Sequence, residues 1–248
     1  MIEIISIDIS NFCSKQCHFC YNGSNKQGSS LWKPREVIDF GMDCVAHGVQ
    51  AISLGGGEPL EYEGVFEIIS ALSKACYLTI TSNGLPLEEG EVLRKLIEAN
   101  PDKIHLSIHY PHIVSEVERV ARQIKMLQDT AIKPGVNLMV SQDQLVAARN
   151  VYAQLRTILS PEQIILIPER FANTPTPREV GLTSGGEPFQ SPSCLIKCEA
   201  PAHFCSVTWD KLVSYCSFAG GKAPLASLTY EGLCTSLSES QFISCMEN

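Results

Sequence analysis

No stretch of this chain approaches the run of about 18 apolar residues that a membrane-spanning helix needs. Its start, MIEIISIDIS, has no basic leader and turns polar too soon for a secretory signal. A surplus of positive charge is also missing: 19 Lys and Arg stand against 27 Asp and Glu, and the basic residues are scattered. That balance, a net charge of −8, argues against a nucleic-acid groove. There is no internal repeat and no low-complexity tract. The expectation is a cytoplasmic protein with no membrane partner. Its 248 residues, 44% of them hydrophobic, are enough to build a single α/β barrel.

Cysteine is not scarce: there are 11. In a reducing compartment, clustered cysteines point to metal ligands or catalytic thiols rather than to a disulfide framework. Cys44 and Cys76 stand alone in helix-like segments and read as small core residues. Cys13, Cys17 and Cys20 crowd instead into CSKQCHFC, just after a strand-like run. A structural zinc site is normally closed by four ligands. His18 lies between Cys17 and Cys20, but no second C-x2-C pair follows at finger-like spacing. A dithiol redox motif needs only two cysteines. Three thiolates match a [4Fe–4S] cluster with one iron left without a protein ligand.

Strand-like runs at 3–10, 49–56, 77–84, 103–110, 133–141 and 163–171 alternate with helical patterns. Six strands that each feed a helix predict parallel βα units wound by right-handed crossovers. Strand faces add a functional hint. Ile104, Leu106 and Ile108 oppose His105, Ser107 and His109, and the isoleucines of ISIDIS oppose Ser6, Asp8 and Ser10. Thr79, Thr81 and Asn83 share a face, and Asn137 lies opposite Val136 and Leu138. Closed barrels fill their interior with branched aliphatics. With helices over the apolar face, this interior would be wet or hold a polar ligand. A half-exposed antiparallel sheet would alternate in the same way, but the intervening helices speak against it.

The spacing C-x3-C-x2-C after the first strand, with Phe19 before the third cysteine, resembles the radical S-adenosylmethionine superfamily. SLGGGEPL after the second strand, with Gly55, Gly56, Gly57, Glu58 and Pro59, is similar to that family's GGEP signature. A second copy, SGGEPF at 184–189, has no strand ahead of it and reads as loop. TSNG, with Ser82 and Asn83, resembles the third-strand polar site. Ser107 matches the fourth-strand position, where His109 replaces an acidic residue, and Asn137 matches the fifth. The resemblance spans roughly residues 3–170. It implies a partial (β/α)6 barrel of parallel strands, TIM-barrel-like, with Cys13, Cys17 and Cys20 on a [4Fe–4S] cluster. It further implies S-adenosylmethionine on the open iron, with Phe19, Gly55, Gly56, Gly57, Glu58, Ser82, Asn83, Ser107 and Asn137 around it. The glycines would let backbone approach the methionine moiety. Reductive cleavage would yield a 5′-deoxyadenosyl radical, with the electron delivered by a donor such as flavodoxin or ferredoxin. Asp8, His105 and His109, on the inward face, are candidates for polar contact or proton transfer.

Composition shifts at 172–193 to Pro, Gly, Ser and Thr, which reads as a linker or long irregular loop. The expected domains are a barrel over 1–170 and a cysteine-rich C-terminal extension over 171–248. The extension holds Cys194, Cys198, Cys205, Cys216, Cys234 and Cys245. Cys198 and Cys216 flank a β-hairpin, CSVTWDKLVSYC, with Asp210 and Lys211 at its turn. This resembles the auxiliary-cluster tails called SPASM or twitch. It implies a further iron–sulfur site, with Cys194, Cys198, Cys216 and Cys234 as candidate ligands and Cys205 as a packed thiol. The chain departs from the pattern at Lys211, where glycine is usual, and lacks a closing C-x2-C.

The functional expectation is a radical enzyme that takes a hydrogen from a peptide or small-molecule substrate. The alternatives are a glycyl-radical-enzyme activase and, from another class, a zinc-stabilised binding module. The first usually inserts cysteines after the first motif, and 21–43 contains none. The second leaves GGGEP and the polar strand faces unexplained.

Overall fold

Isoleucines and polar residues alternate in IISIDIS, so only one face of that strand can be buried against an apolar layer. In the computed structural model, which describes residues 1–170, 173–192 and 196–245, that layer is built by helices. The first twelve elements are β1 (Ile4–Ser10), α1 (Pro34–Ala46), β2 (Ala51–Gly56), α2 (Val65–Leu72), β3 (Tyr77–Ser82), α3 (Gly90–Ala99), β4 (Lys103–Ile108), α4 (Val114–Gln128), β5 (Lys133–Val140), α5 (Leu145–Leu155), β6 (Ile164–Pro168) and α6 (Pro177–Thr183). Then come β7 (Phe204–Val207), β8 (Leu212–Ser214), β9 (Ala223–Pro224) and α7 (Tyr230–Glu239).

The sheet runs β6-β5-β4-β3-β2-β1-β7-β8-β9, and β1 to β6 are mutually parallel. This is the expected partial (β/α)6 barrel. Ile5, Ile7, Ile52, Leu54, Leu78, Ile80, Ile104, Leu106, Val136, Leu138, Ile164 and Leu166 are buried together with the apolar faces of the helices. The opposite face carries a different row. Register sets Ser6 beside Ser53, Ser53 beside Thr79, Thr81 beside His105, His105 beside Gly135, and Ser107 beside Asn137. Small and polar side chains therefore leave the inside of the barrel as a cavity rather than an aliphatic core.

The hairpin is present as antiparallel β7 and β8, and β7 pairs in parallel with β1, extending the barrel sheet. Lys211 occupies its turn with φ +61°, the left-handed conformation that favours glycine. Its ammonium is 2.9 Å from Glu36 and 5.0 Å from the centre of the Trp32 ring. Trp32 Nε1 in turn donates to the Thr208 carbonyl at 3.0 Å. These contacts clasp the hairpin to the segment before α1 and offset the strained turn.

Two expectations need correction. The sixth strand is shorter than 163–171, ending at Pro168, and Phe171 lies outside the described residues. The stretch 172–193 is not merely a linker, because it contains α6. Thr176 and Glu179 form a capping box ahead of Pro177 at the first helical position, and Val180 is buried. The Gln190 carbonyl then accepts the Leu166 N–H at 2.8 Å, so this segment packs back on β6.

Candidate active site

Loops at the C-terminal ends of the strands enclose a cavity of about 280 Å³. Cys13, Cys17 and Cys20 line it, together with Phe19, Gly55, Gly56, Gly57, Ser82, Asn83, Ser107, His109 and Asn137. Residues separated by more than a hundred positions thus meet at one surface, as the alternation of the strands predicts.

The cluster loop is tied down from three sides. Gly57 N–H donates to the Ser10 carbonyl at 2.6 Å, and Glu58 N–H to that of Phe12 at 2.8 Å. Ser14 N–H and hydroxyl both donate to Glu61. Asn83 Nδ2 lies 3.7 Å from Cys13 Sγ, and Arg119 and Gln123 of α4 donate to the carbonyls of Asn83 and Gly84. The glycines have a packing role here. A Cβ on Gly56 or Gly57 would lie 2.3 Å from the Ser10 carbonyl oxygen or 1.9 Å from that of Phe12. The second GGEP copy differs: Gly185 and Gly186 have no atom within 4 Å of such a Cβ, in keeping with its loop reading.

Three predicted residues do not line the cavity. Glu58, 1% exposed, lies behind it and accepts from Ser82 Oγ at 2.7 Å, Asn83 N at 2.7 Å and Leu60 N at 3.1 Å. Burial raises its carboxyl to about 7. Asp8, 3% exposed, is covered by Tyr21, whose hydroxyl is 3.5 Å from its carboxylate. Burial raises Asp8 to about 7 against the lowering pull of Lys222. His105 is packed against Gly135 with its Nε2 buried and unpartnered, and burial and Lys103 push it down to about 4. Burial, Lys15 and Arg119 push His109 down to about 3. Both imidazoles are therefore neutral near neutral pH, each with a single ring N–H.

Burial raises the thiols of Cys13 and Cys17, the latter to about 11. A metal that loads here therefore displaces their protons. Among the described residues no three His, Cys, Asp or Glu side chains are grouped to hold one metal ion. The three thiols share instead the rim of a cavity, an arrangement suited to a polynuclear cluster with room beside it for a ligand.

The tail cysteines divide. Cys216 accepts from Phe218 N–H and lies in the electrostatic surroundings of Tyr21, at the cavity side. Cys234, on α7, belongs to the surroundings of Tyr230, Cys44 and Cys205. Cys216 and Cys234 share none of these neighbours. Cys205 is fully buried, and burial pushes its thiol up to about 12, as befits a packed side chain. Cys198 is half-buried, and Cys194 lies outside the described residues.

Lys15, Glu61, Glu116, Arg119, Gln123, Tyr21 and Phe218 did not stand out in the sequence. A signal existed for three of them: Glu116, Arg119 and Gln123 share the face of α4 that carries buried Val120 and Ile124.

The family described as the Radical SAM superfamily matches residues 7–140. A "Probable GTP 3',8-cyclase" of Methanocaldococcus jannaschii is 27% identical over 176 residues, 63% of this chain and 58% of that protein. The GTP 3',8-cyclase of Aquifex aeolicus is 32% identical over 117 residues, 44% of this chain and 35% of that one. The chain thus spans less than two thirds of the length of these curated relatives. Among solved structures, anSMEcpe with bound AdoMet has a TM-score of 0.67 at 14% identity, covering 97% of this chain and 83% of its own. Streptococcus suis SuiB bound to S-adenosylmethionine gives 0.65 at 14% identity, covering 87% and 60%. At such identities the likeness is one of fold.

Proposed function

This chain belongs to the Radical SAM superfamily, and from that premise we propose that Cys13, Cys17 and Cys20 hold a [4Fe–4S] cluster beside a site for S-adenosylmethionine. Together, when bound, these would supply a 5′-deoxyadenosyl radical that takes a hydrogen atom from the substrate. The observation that carries the reading is the meeting of the three thiols and the GGG segment at one cavity.

The chain's own part is to bind, orient and exclude water. Gly55, Gly56 and Gly57 bring strand-end backbone to the cavity wall, with Ser82, Asn83, Ser107 and Asn137 as polar contacts. Glu58 holds Ser82 and Asn83 in place from behind. The polar interior suits a small polar molecule or a single side chain of a peptide, and the names of the curated relatives support a small molecule. Asp8 is the inward carboxyl suited to proton exchange near neutral pH, through Tyr21. An auxiliary iron–sulfur site would use Cys216 and Cys198. Reduction would come from a donor such as flavodoxin or ferredoxin. No helix among the described residues is long and apolar enough to cross a membrane.

The test is anaerobic reconstitution of the wild type and of the triple variant Cys13→Ala/Cys17→Ala/Cys20→Ala, with iron and sulfide counted. Reduced wild type is expected to convert S-adenosylmethionine to 5′-deoxyadenosine, and the triple variant to form none. Wild type that forms none sinks the reading. About four irons retained by the triple variant, one intact cluster, support the auxiliary site. No iron in it, beside one cluster in the wild type, removes that site.

A further inference from the structure

Lys15 sits between Cys13 and Cys17, yet its side chain is only 10% exposed. A buried ammonium needs partners. Its Nζ is 2.8 Å from Glu116 Oε1 and 3.0 Å from Nδ1 of His109, and it lies over the Tyr110 ring. Glu116, 8% exposed in the first turn of α4, also accepts the His109 backbone N–H at 2.6 Å. The cluster loop, the end of β4 and the start of α4 therefore close on one imidazole.

The chemistry of this contact fixes a proton. An ammonium has three N–H donors and no lone pair, so Lys15 can approach Nδ1 only as a donor. Nδ1 then carries the lone pair, and the ring proton must be on Nε2. The imidazole lies nearly parallel to Phe19, with centroids 5.9 Å apart and planes 27° apart, which hinders its rotation. His109 lines the cavity, and its free donor is Nε2–H.

We propose that Lys15, clamped by Glu116, is a positioning residue that locks His109 as an Nε2–H donor to the cavity, so that this wall selects an accepting oxygen of bound S-adenosylmethionine. The inference rests on the reading of the cavity as the site for that molecule. An acidic side chain, which the resemblance expects at this position, would be an acceptor. The Lys15–His109 pair reverses the polarity. The lowered proton affinity of the ring agrees, since a neutral imidazole keeps the same tautomer across the working range.

The test uses the full chain, reconstituted anaerobically, with S-adenosylmethionine affinity read by equilibrium dialysis and iron counted in parallel. Lys15→Met is expected to bind about tenfold more weakly, as for one lost hydrogen bond, with iron unchanged. Lys15→Arg, which keeps a donor, restores most of the affinity. Glutamine at position 109 carries an amide N–H that needs no lock. In a His109→Gln background, Lys15→Met therefore costs less than about twofold, because the two effects are coupled. Glu116→Gln, outside the cluster loop, repeats the pattern if Lys15→Met disturbs cluster loading. Equal losses in both backgrounds, or no loss in either, overturn the proposal. Wild type that neither binds S-adenosylmethionine nor cleaves it on reduction brings down the reading of the cavity, and the proposal with it.

Discussion

Gly57→Ala is expected to cost about 3 kcal/mol or more, at the upper end of overpacking penalties, and to strip most of the iron from the reconstituted protein. The new Cβ would stand 1.9 Å from the Phe12 carbonyl oxygen, 2.6 Å from its carbon and 2.9 Å from the Asn11 carbonyl carbon. All three are backbone atoms, so no side chain can swing aside. The two segments are also held together by Gly57 N–H to Ser10 and Glu58 N–H to Phe12, at 2.6 and 2.8 Å. Relief comes only by moving residues 10–12, and Cys13 follows directly. A shift of about 1 Å at a reacting centre can cost about a hundredfold in rate, so 5′-deoxyadenosine formation is expected to fall by at least that much. Gly185→Ala in the second GGEP copy is the control. It meets no atom within 4 Å, though its φ is +71°, and is expected to cost about 1 kcal/mol with iron unchanged. Urea midpoints and iron counts for the two variants separate contact from conformation. A Gly57→Ala protein with wild-type iron and rate contradicts the packing account.

The same contrast shows what the sequence made legible. The order of strand, GGGEP and helix separated the two copies, and structure supplies the reason: only the first is pressed against another segment. Alternation in IISIDIS and KIHLSI predicted the inward faces because period two is a local property of extended chain. Roles that depend on neighbours from other elements were not legible. His109 shares its face with His105 and Ser107, but its Nδ1 is met by Lys15, 94 positions earlier. Asp8 points inward as its strand requires, yet Tyr21 covers it. The tail shows the same limit. Spacing paired Cys198 with Cys216 around the hairpin, and the resemblance named Cys234 as a candidate ligand, but neither says which elements will surround a cysteine on a helix such as α7. In α6 a local signal was available, since Thr176-Pro-Arg-Glu179 is a capping box with proline at the first helical position. The Pro, Gly and Ser content around it outweighed that signal.

Removing the Glu58 carboxylate is expected to be comparably damaging, because the group is a strut for three donors. Ser82 Oγ, Asn83 N and Leu60 N all point at it, and Ser82 and Asn83 are 1% and 4% exposed. Glu58→Ala leaves these three donors without partners at about 1–3 kcal/mol each, so a total loss of about 3–9 kcal/mol is expected. Asn83, whose amide lies 3.7 Å from Cys13 Sγ, then loses its anchor, and iron retention should drop too. Glutamine is no rescue, because one end of its amide would set N–H against the N–H of Asn83. The pH dependence follows from burial, which raises Glu58 from 4.5 to about 7 in the folded chain. The folded value lies above the unfolded one, so the fold prefers the protonated acid. Its contribution is complete below about pH 4.5 and is lost as pH rises through about 7, a change of about 3 kcal/mol. Asp8, raised from 3.8 to about 7 mainly by burial, acts in the same direction. His105 and His109, pushed down to about 4 and about 3, act in the opposite direction as pH falls below 6.5, so the share of Glu58 is read from the difference between the wild type and Glu58→Gln. The other titrating groups are common to both proteins, so the gap between their urea midpoints should be widest at pH 5.5 and narrow toward pH 8. A glutamine variant whose midpoint tracks that of the wild type at both values would show that Glu58 is ionised in the fold and that its three hydrogen bonds outweigh its burial.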